Sequence, residues 1–423
     1  MTLPVGPVQA FDVDLRGLPG LPPVEGGRAR VLVRSHGAPV TVCVVDVPPE
    51  GLEAAQLAQR LADLFAPAAG TENVDLARRA RRSELAERGP TMTVQIATRD
   101  RPDPLRRCLD SIACADYRAF DIVVIDNAPA TDETRAVVRA WEQAHPEVAV
   151  RYLREPVPGA ARAHNRGLEV ATGDWVVRTD DDVVVDPQWL AAIADAATSA
   201  PDVQCVTGLI LPAEIDTPAQ ELLEQFGGYA RGFRRRHVDK AAHRPDDPLF
   251  PFTTGRLGSG ANIAFAAEQL RARGGFDIAL GPGTPAKGGE DLLALFDVLT
   301  GGGGVVYEPS ALVWHWNRRD YASLQRLMHD YGVGLSAYLT AAALREPRLA
   351  VGMAGKAALG VRHVLGRSSP KNSAKTRDYP RELERRELRG MLAGPAAYVA
   401  GRLTRTPERP VVAGAERSRE VAR

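Results

Sequence analysis

The apolar residues between positions 93 and 198 follow two alternating periods, and this pattern predicts strands separated by helices. Short apolar runs such as Asp121–Ile125 (DIVVI) are typical of parallel strands buried on both faces. Between two such runs, apolar residues recur at helical spacing, as at Leu105, Cys108, Leu109 and Ile112. The alternation predicts an α/β fold with a mostly parallel central sheet.

The predicted elements can be placed along the chain. The strands are Thr93–Thr98, Asp121–Ile125, Val148–Leu153 and Asp174–Thr179. The helices are about 103–112, Glu133–Ala144, Ala160–Ala171 and Gln188–Thr198. Asp103 and Asp186 each precede a proline, which predicts that these aspartates cap the helices that follow.

The flanks of this region have different patterns, which predict three domains. Residues 1–90 form a small N-terminal α+β accessory domain and linker, with β-like runs at Arg30–Arg34 and Val40–Val47. Residues 91–345 form the main domain, and residues 346–423 form a helical C-terminal region with a flexible basic tail. The apolar faces of Leu349–Leu365 and Leu388–Leu403 are interrupted by basic residues. These helices either pack on the protein or lie on an anionic membrane surface.

Composition narrows the function classes. The chain has 423 residues with 53 basic and 53 acidic side chains, so its charge gives no reason to expect nucleic acid binding. The four cysteines form no CxxC pair, and Cys108 and Cys205 lie in apolar stretches as expected of buried thiols. The first residues lack a signal-peptide pattern, and no apolar run is long enough to cross a bilayer. We expect a cytoplasmic protein, with peripheral contact at the inner face of the membrane as the alternative.

Polar side chains follow three of the predicted strands at the point where each strand ends. These segments are Thr98-Arg99-Asp100, Asp126-Asn127 and Asp180-Asp181-Asp182. Because ligands of α/β sheets bind at the carboxyl ends of the strands, we expect these side chains to converge on one site.

The acidic run Thr179–Asp182 is the strongest chemical signal. Three successive carboxylates repel one another unless they are solvated or bind a cation. Carboxylate oxygens suit Mg²⁺ or Mn²⁺, which keep open positions for phosphate oxygens. The alternative is a plain exposed acidic turn, which the position at a strand end disfavours.

Six segments in order resemble family 2 glycosyltransferases of the GT-A fold over about residues 92–320. They are VQIATRDRP, VVIDNAPATDET, PGAARAHNRGLEVATGDWVVRTDDDVVVDPQWL, GSGANIAFAAEQLRARGGFD, GGEDLLALF and VVYEPSALVWHWNRR. The resemblance implies metal-dependent transfer of a sugar, with inversion, from a UDP-, GDP- or dTDP-sugar to a hydroxyl acceptor. The acceptor class stays open between a carbohydrate, a lipid-linked molecule and a small molecule.

The resemblance also implies which residues bind the donor. The implied donor-binding residues are Thr98, Arg99, Asp126, Asn127, Arg162, Asn165, Asp180 and Asp181. The family usually carries Arg directly before the Asn of the third segment, whereas this chain has His164. Arg162, two residues earlier, would then supply the positive charge.

The metal and the diphosphate are assigned in the same way. The resemblance implies Asp180, Asp182 and His315 as ligands of Mn²⁺ or Mg²⁺, with His315 as a neutral imidazole ligand. The alternative for His315 is a buried core histidine. Arg318 or Arg319 would hold the diphosphate.

The remaining implied residues contact the acceptor. Asp291 is the implied general base, with Glu290 as the reserve candidate or positioning partner; both could instead serve only as helix caps. The implied acceptor-binding residues are Gly260, Ala261, Asn262 and Trp316. The basic run Arg231–Lys240 is predicted to be a flexible insertion that is either a solvated loop or an acceptor contact.

Two other functions fit an acidic site on an α/β sheet. A nucleotidyltransferase that makes sugar nucleotides would also use a metal, but it needs a glycine- and lysine-rich triphosphate loop that ATRDRPDP does not offer. A non-catalytic protein that binds a sugar nucleotide or carbohydrate would not need the full set of carboxylates.

Overall fold

The computed structural model describes residues 9–14, 26–64, 71–356 and 378–404, together with 359, 360, 366, 369, 372, 375 and 376. The strands are β1 Gln9–Asp14, β2 Gly27–Ser35, β3 Ala38–Val47, β4 Met92–Thr98, β5 Phe120–Asn127, β6 Val150–Glu155, β7 Trp175–Asp180, β8 Val183–Val185, β9 Val203–Pro212, β10 Arg236–Val238, β11 Asn262–Ala266 and β12 Gly304–His315. The helices are α1 Ala54–Leu64, α2 Thr71–Arg88, α3 Pro102–Ala113, α4 Glu133–Ala144, α5 Ala160–Val170, α6 Trp189–Ala197, α7 Pro218–Phe226, α8 Ala267–Ala272, α9 Glu290–Thr300, α10 Tyr321–Arg345, α11 Pro347–Ala354 and α12 Arg381–Leu403.

The main body is built on a nine-stranded sheet. Eight of its strands lie in the order β10-β12-β9-β11-β7-β4-β5-β6, and β8 pairs with β12 outside this path. Strands β7, β4, β5 and β6 are parallel, β9 and β12 run in the same direction, and β8, β10 and β11 run against them. The predicted α/β fold with a mostly parallel sheet is therefore confirmed.

Strand β5 illustrates why these sequences form a sheet with helices on both faces. Ile122 and Val124 pack in one apolar cluster with α3 and α6, whereas Val123 and Ile125 pack in another with Ala163 of α5. Alternate side chains of a strand point to opposite faces, so an unbroken apolar run requires cover on both sides.

Several local expectations differ from the structure. Helix α3 begins at Pro102 after Arg101, so Asp103 lies in the first turn and is not the cap. Helix α6 follows Gln188, and Asp186 instead accepts a hydrogen bond from the Gln188 amide. The basic run predicted as a flexible insertion contains β10, which forms an antiparallel edge with β12.

The N-terminal region forms a separate three-stranded sheet, β1-β2-β3, that is tied to the main body by ion pairs. Arg34 binds both Asp12 of its own sheet and the buried Asp186, at 2.7 Å in each case. Arg82 on α2 lies 3.2 Å from Glu308 of β12. The charged helix between the two sheets therefore contacts the main body directly.

At the other end, α12 packs closely against α10. A Cβ atom on Gly332 would lie 2.0 Å from the Glu387 carbonyl oxygen, and one on Gly390 would lie 2.1 Å from that of His329. The other face of α12 exposes Leu392 and Leu403, so contact with a membrane surface stays a prediction. Among the described residues, no helix is both long and apolar enough to span a membrane. Much of predicted helix 349–365 and the basic tail after residue 404 lie outside the described residues.

Candidate active site

The carboxyl ends of β4, β5 and β7 open into a cavity of about 1680 Å³. Thirteen of the residues singled out from the sequence line it: Thr98, Arg99, Asn127, Asp180, Asp181, Asp182, Gly260, Ala261, Glu290, Asp291, His315, Trp316 and Arg318. The structure thus brings together segments that are more than 200 positions apart in the chain.

The acidic run is folded so that its carboxylates point in different directions. Asp180 is the last residue of β7, and the chain then turns into the short strand β8. Strand β8 pairs with the end of β12, with Val183 opposite His315. Because β12 follows β8 by more than 100 residues, only the tertiary pairing places the imidazole beside the aspartates.

Asp180, Asp182 and His315 form a cluster in which one ligand atom from each residue lies within 4.8 Å of the others. Nε2 of His315 lies 3.3 Å from Oδ1 of Asp182, and its Nδ1 lies 2.9 Å from Oδ1 of Asn317, which orients the ring. Burial lowers the pKa of His315, but the hydrogen bond to Asp182 and the charges of Asp182 and Asp180 together outweigh burial, so the pKa is raised.

These residues fit a divalent cation. Burial, followed by the charge of the neighbouring Asp182, raises the pKa of Asp180, although Arg178 and His315 oppose this effect. Two carboxylate oxygens and one imidazole nitrogen suit Mn²⁺, and Mg²⁺ when more oxygen ligands come from substrate. We therefore regard this cluster as the candidate metal centre.

Asp181 points away from this cluster. It accepts hydrogen bonds from the Thr98 hydroxyl at 2.6 Å and from Nη1 of Arg101 at 2.5 Å. Nη2 of Arg101 also binds Asp182, at 2.8 Å. Burial raises the pKa of Asp181 to about 7, against the opposing effect of Arg101. Thr98, a predicted donor residue, thus supports the acidic turn directly.

The N-terminus of α9 presents two adjacent carboxylates with different environments. Gly289 precedes the helix with a φ of 91°, a conformation that favours glycine. Oδ2 of Asp291 accepts the Gly260 amide at 2.7 Å, and its Oδ1 accepts the Leu292 amide at 2.8 Å. Asp291 is therefore held in a fixed orientation at the cavity wall.

Glu290, by contrast, is almost fully buried and forms an ion pair with Arg178 of β7, whose Nη2 lies 2.7 Å from its Oε1. Burial raises the pKa of Glu290, although Arg178 opposes this effect. Both residues line the cavity. Because its carboxylate is already paired with a buried guanidinium, Glu290 is better suited to position neighbouring groups.

The predicted acceptor residues divide into two groups. Gly260 and Ala261 line the cavity beside Asp291, and Trp316 lines it with the guanidinium of Arg107 over its ring at 5.1 Å. Asn262 is fully buried and is bound to Trp189 and to two backbone carbonyls. Its contacts are those of a core residue that joins strands and α6.

Five predicted site residues, all within the described part of the chain, lie outside the cavity wall: Asp126, Arg162, Asn165, Asn262 and Arg319. Asp126 is fully buried and accepts a hydrogen bond from the Tyr152 hydroxyl at 2.8 Å. Asn165 uses its amide to bind both backbone groups of Phe276. Arg319 forms ion pairs with Glu214 and Asp216, so of the two predicted diphosphate residues only Arg318 faces the cavity.

His164 lines the cavity where the family resemblance predicts an arginine. Burial, followed by the charge of Arg178, lowers the pKa of His164 well below its usual value. The imidazole is therefore neutral at pH 7, and His164 does not replace the missing positive charge.

Sequence reasoning overlooked two arginines of this site. Arg101 binds two of the three carboxylates of the acidic run. Arg178 is buried, and its Nε and Nη1 have no hydrogen-bond partner among the described residues. The sequence does indicate that Arg178 is paired, because a charged residue within the apolar strand WVVRTD is unusual without a partner.

Comparisons with known proteins bear on the family of this chain. Residues 93–255 match the family model described as glycosyl transferase family 2. The uncharacterized glycosyltransferase YibD of Escherichia coli (strain K12) is 34% identical over 85 residues, which are 20% of this chain and 24% of that protein. A pre-mycofactocin glycosyltransferase of Mycobacterium tuberculosis (strain ATCC 25618 / H37Rv) is 28% identical over 228 residues, which are 54% of this chain and 43% of that protein. The chain thus spans less than half the length of these curated relatives.

Among solved structures, the chain is similar to the mannosyltransferase PcManGT from Pyrobaculum calidifontis in complex with GDP-Man and Mn²⁺. The identity is 20%, the TM-score is 0.43, and the alignment covers 75% of this chain and 77% of that one.

Proposed function

Since this chain carries a family 2 glycosyltransferase domain over residues 93–255, we propose that it transfers a sugar from a nucleoside diphosphate sugar to a hydroxyl acceptor. The observation that carries the proposal is the convergence of Asp180, Asp182 and His315 at one end of the cavity with Asp291 in the same cavity. A leaving diphosphate and an activated hydroxyl need this pairing of a cation site with a base.

The donor is proposed to bind at the carboxyl ends of β4 and β7. Asp180, Asp182 and His315 would hold Mn²⁺ or Mg²⁺, which supplies positive charge to the diphosphate. Arg318 and the exposed Lys287 line the same cavity and offer further positive charge there. Since Asp126 is buried beneath the wall, the nucleoside contacts are proposed for Thr98, Arg99 and Asn127 instead.

Asp291 is proposed as the general base. The backbone amides of Gly260 and Leu292 fix its orientation, and each carboxylate oxygen keeps a second lone pair for an acceptor hydroxyl. As the hydroxyl oxygen bonds to the anomeric carbon, its proton passes to Asp291 and the bond to the diphosphate oxygen breaks. Attack opposite the leaving group would invert the anomeric centre.

The test is to incubate the full chain with UDP-, GDP- and dTDP-sugars in Mn²⁺ or Mg²⁺ and to measure the released nucleoside diphosphate. We expect release from one donor class, its loss on chelation, and its loss in Asp182→Asn. The matched control is Asp174→Asn, because Asp174 lies at the opposite end of β7, where it binds Thr91. Activity in Asp182→Asn equal to that of the wild type would contradict the assignment.

The same assay separates the two other candidate functions. Release of pyrophosphate from a nucleoside triphosphate and a sugar 1-phosphate, supplied in a parallel incubation, would identify a nucleotidyltransferase. A protein that binds a donor but releases no product, with or without acceptors, would be a binding protein. The anomeric configuration of a product, measured by NMR, tests inversion independently.

A further inference from the structure

Part of the cavity wall is formed by large apolar side chains, and the charged Lys356 and Glu387 also line the cavity. We call the apolar part the apolar limb and define it by six side chains: Leu249, Phe252, Leu335, Leu339, Leu388 and Met391. They come from the segment before the 3-10 turn at Thr254–Arg256 and from the facing sides of α10 and α12. Phe252, Leu335 and Leu339 pack in one apolar cluster with Leu292, which follows Asp291 in the chain.

The cavity is larger than a site for one small ligand requires. Pockets for small ligands generally occupy about 300–1,000 Å³. The cavity measures about 1680 Å³, so space remains after the donor site is filled. The apolar limb is part of the same cavity.

The two helices that form much of this wall pack closely together. Leu335 and Leu339 are one helical turn apart and face the cavity together. Helix α12 is fixed against α10 because a Cβ on Gly394 would lie 2.0 Å from Oγ of Ser336, so the helices touch at their backbones. The limb is therefore a preformed feature and not a gap between loosely placed helices.

All six side chains of the limb are half-buried, although each is large and apolar. These side chains keep contact with solvent because they face the cavity. An apolar occupant would remove their exposed surface from water. The limb opens to the exterior at Leu392, which lines the cavity and is 84% exposed. An occupant could thus enter along α12 with a chain longer than the limb itself.

We propose that the acceptor is amphipathic, with a hydroxyl-bearing head beside Asp291 and an apolar hydrocarbon chain along the apolar limb. This inference rests on the proposed function, since it assigns the acceptor class for the same site. Burial of the chain contributes binding free energy in proportion to the methylenes that leave water. A free sugar would leave the limb filled with water and gain nothing from it.

The test uses methyl, hexyl, octyl and decyl glucosides below their micelle concentrations, with binding to the full chain measured by calorimetry. We expect the Kd to fall by up to about fourfold for each methylene that enters the limb. Leu339→Gln should raise the Kd for octyl glucoside by about tenfold and flatten the dependence on chain length. The matched control is Leu344→Gln, because Leu344 lies on the same helix but is 58% exposed and outside the cavity wall.

Each possible result either supports the amphipathic acceptor or contradicts it. Two results would overturn the amphipathic acceptor: a Kd independent of chain length, or equal effects of Leu339→Gln and Leu344→Gln. A Kd independent of chain length is also expected if a segment of this chain outside the described residues fills the limb. Thermal unfolding checks that both variants are folded. Release of nucleoside diphosphate without acceptor is measured in parallel, so failure of the proposed transfer is distinguished from failure of the acceptor class.

Discussion

The buried ion pair between Arg178 and Glu290 offers the sharpest test of the site's energetics. Replacing Arg178 with Met keeps much of the side-chain volume but removes the charge that faces Glu290 at 2.7 Å. The side chains are only 6% and 3% exposed, so water cannot replace the lost partner. The charge of Arg178 also acts on Asp180 and Asp291, and in its absence Asp291 would repel Glu290 with less compensation.

The expected loss of unfolding free energy follows from this burial. Breaking a buried pair by removing one partner costs about 3–5 kcal/mol, because the other charge remains buried and unpaired. Arg178→Met should therefore lower the free energy of unfolding by about this amount at pH 7.5. In the double variant Arg178→Met/Glu290→Met neither charge of the pair remains. We therefore expect its loss of stability to be about 2–3 kcal/mol smaller than the sum of the losses of the two single variants.

Urea denaturation followed by tryptophan fluorescence is the suitable assay, because all five tryptophans lie between Trp141 and Trp316 and report on the main body. The control is Arg166→Met, which breaks the partly exposed pair with Glu169 and should cost less than about 1 kcal/mol. Equal stabilities of Arg178→Met and Arg166→Met, or strict additivity in the double variant, would refute the reasoning.

Three further predictions concern the same site. Asp291→Asn should lower kcat by about 10²–10⁴ while donor affinity stays near that of the wild type, and a full rate in this variant would remove Asp291 as the base. Gly260→Ala would place a methyl group 2.9 Å from Cζ of Arg178 and 3.2 Å from Oδ2 of Asp291. We therefore expect kcat/KM to fall at least about tenfold. An unchanged kcat/KM in steady-state kinetics would contradict this contact. Because burial lowers the pKa of His164 in the folded state, the unfolded state binds the extra proton, and stability should fall as pH drops below about 6.5 by up to about 1.4 kcal/mol per pH unit. His164→Leu should reduce that slope in denaturation curves between pH 5 and 8, and an identical slope would show that other groups set it.

Much of the fold was predictable because its signals are local. The apolar run of β5 and the helical spacing of Leu105, Cys108, Leu109 and Ile112 are properties of neighbouring residues, and the structure confirms both elements. Short strands were missed for the same reason. Strand β8 has three residues, too few for a period, and exists because β12 pairs with it.

The candidate site likewise has features that the local sequence determines and features that only distant contacts decide. The sequence by itself determined that the acidic run Asp180–Asp182 lies at the end of a buried strand and that Asp291 lies in the first turn of an apolar helix. Only the tertiary structure decided that Asp181 binds Thr98 and Arg101 and does not join the metal cluster, because adjacent side chains on a turn diverge. Likewise, Asn165 and Asn262 carry suitable amides for a ligand, but their distant backbone partners keep them in the core. Partners far apart in the chain set burial and charge, and no local pattern encodes them.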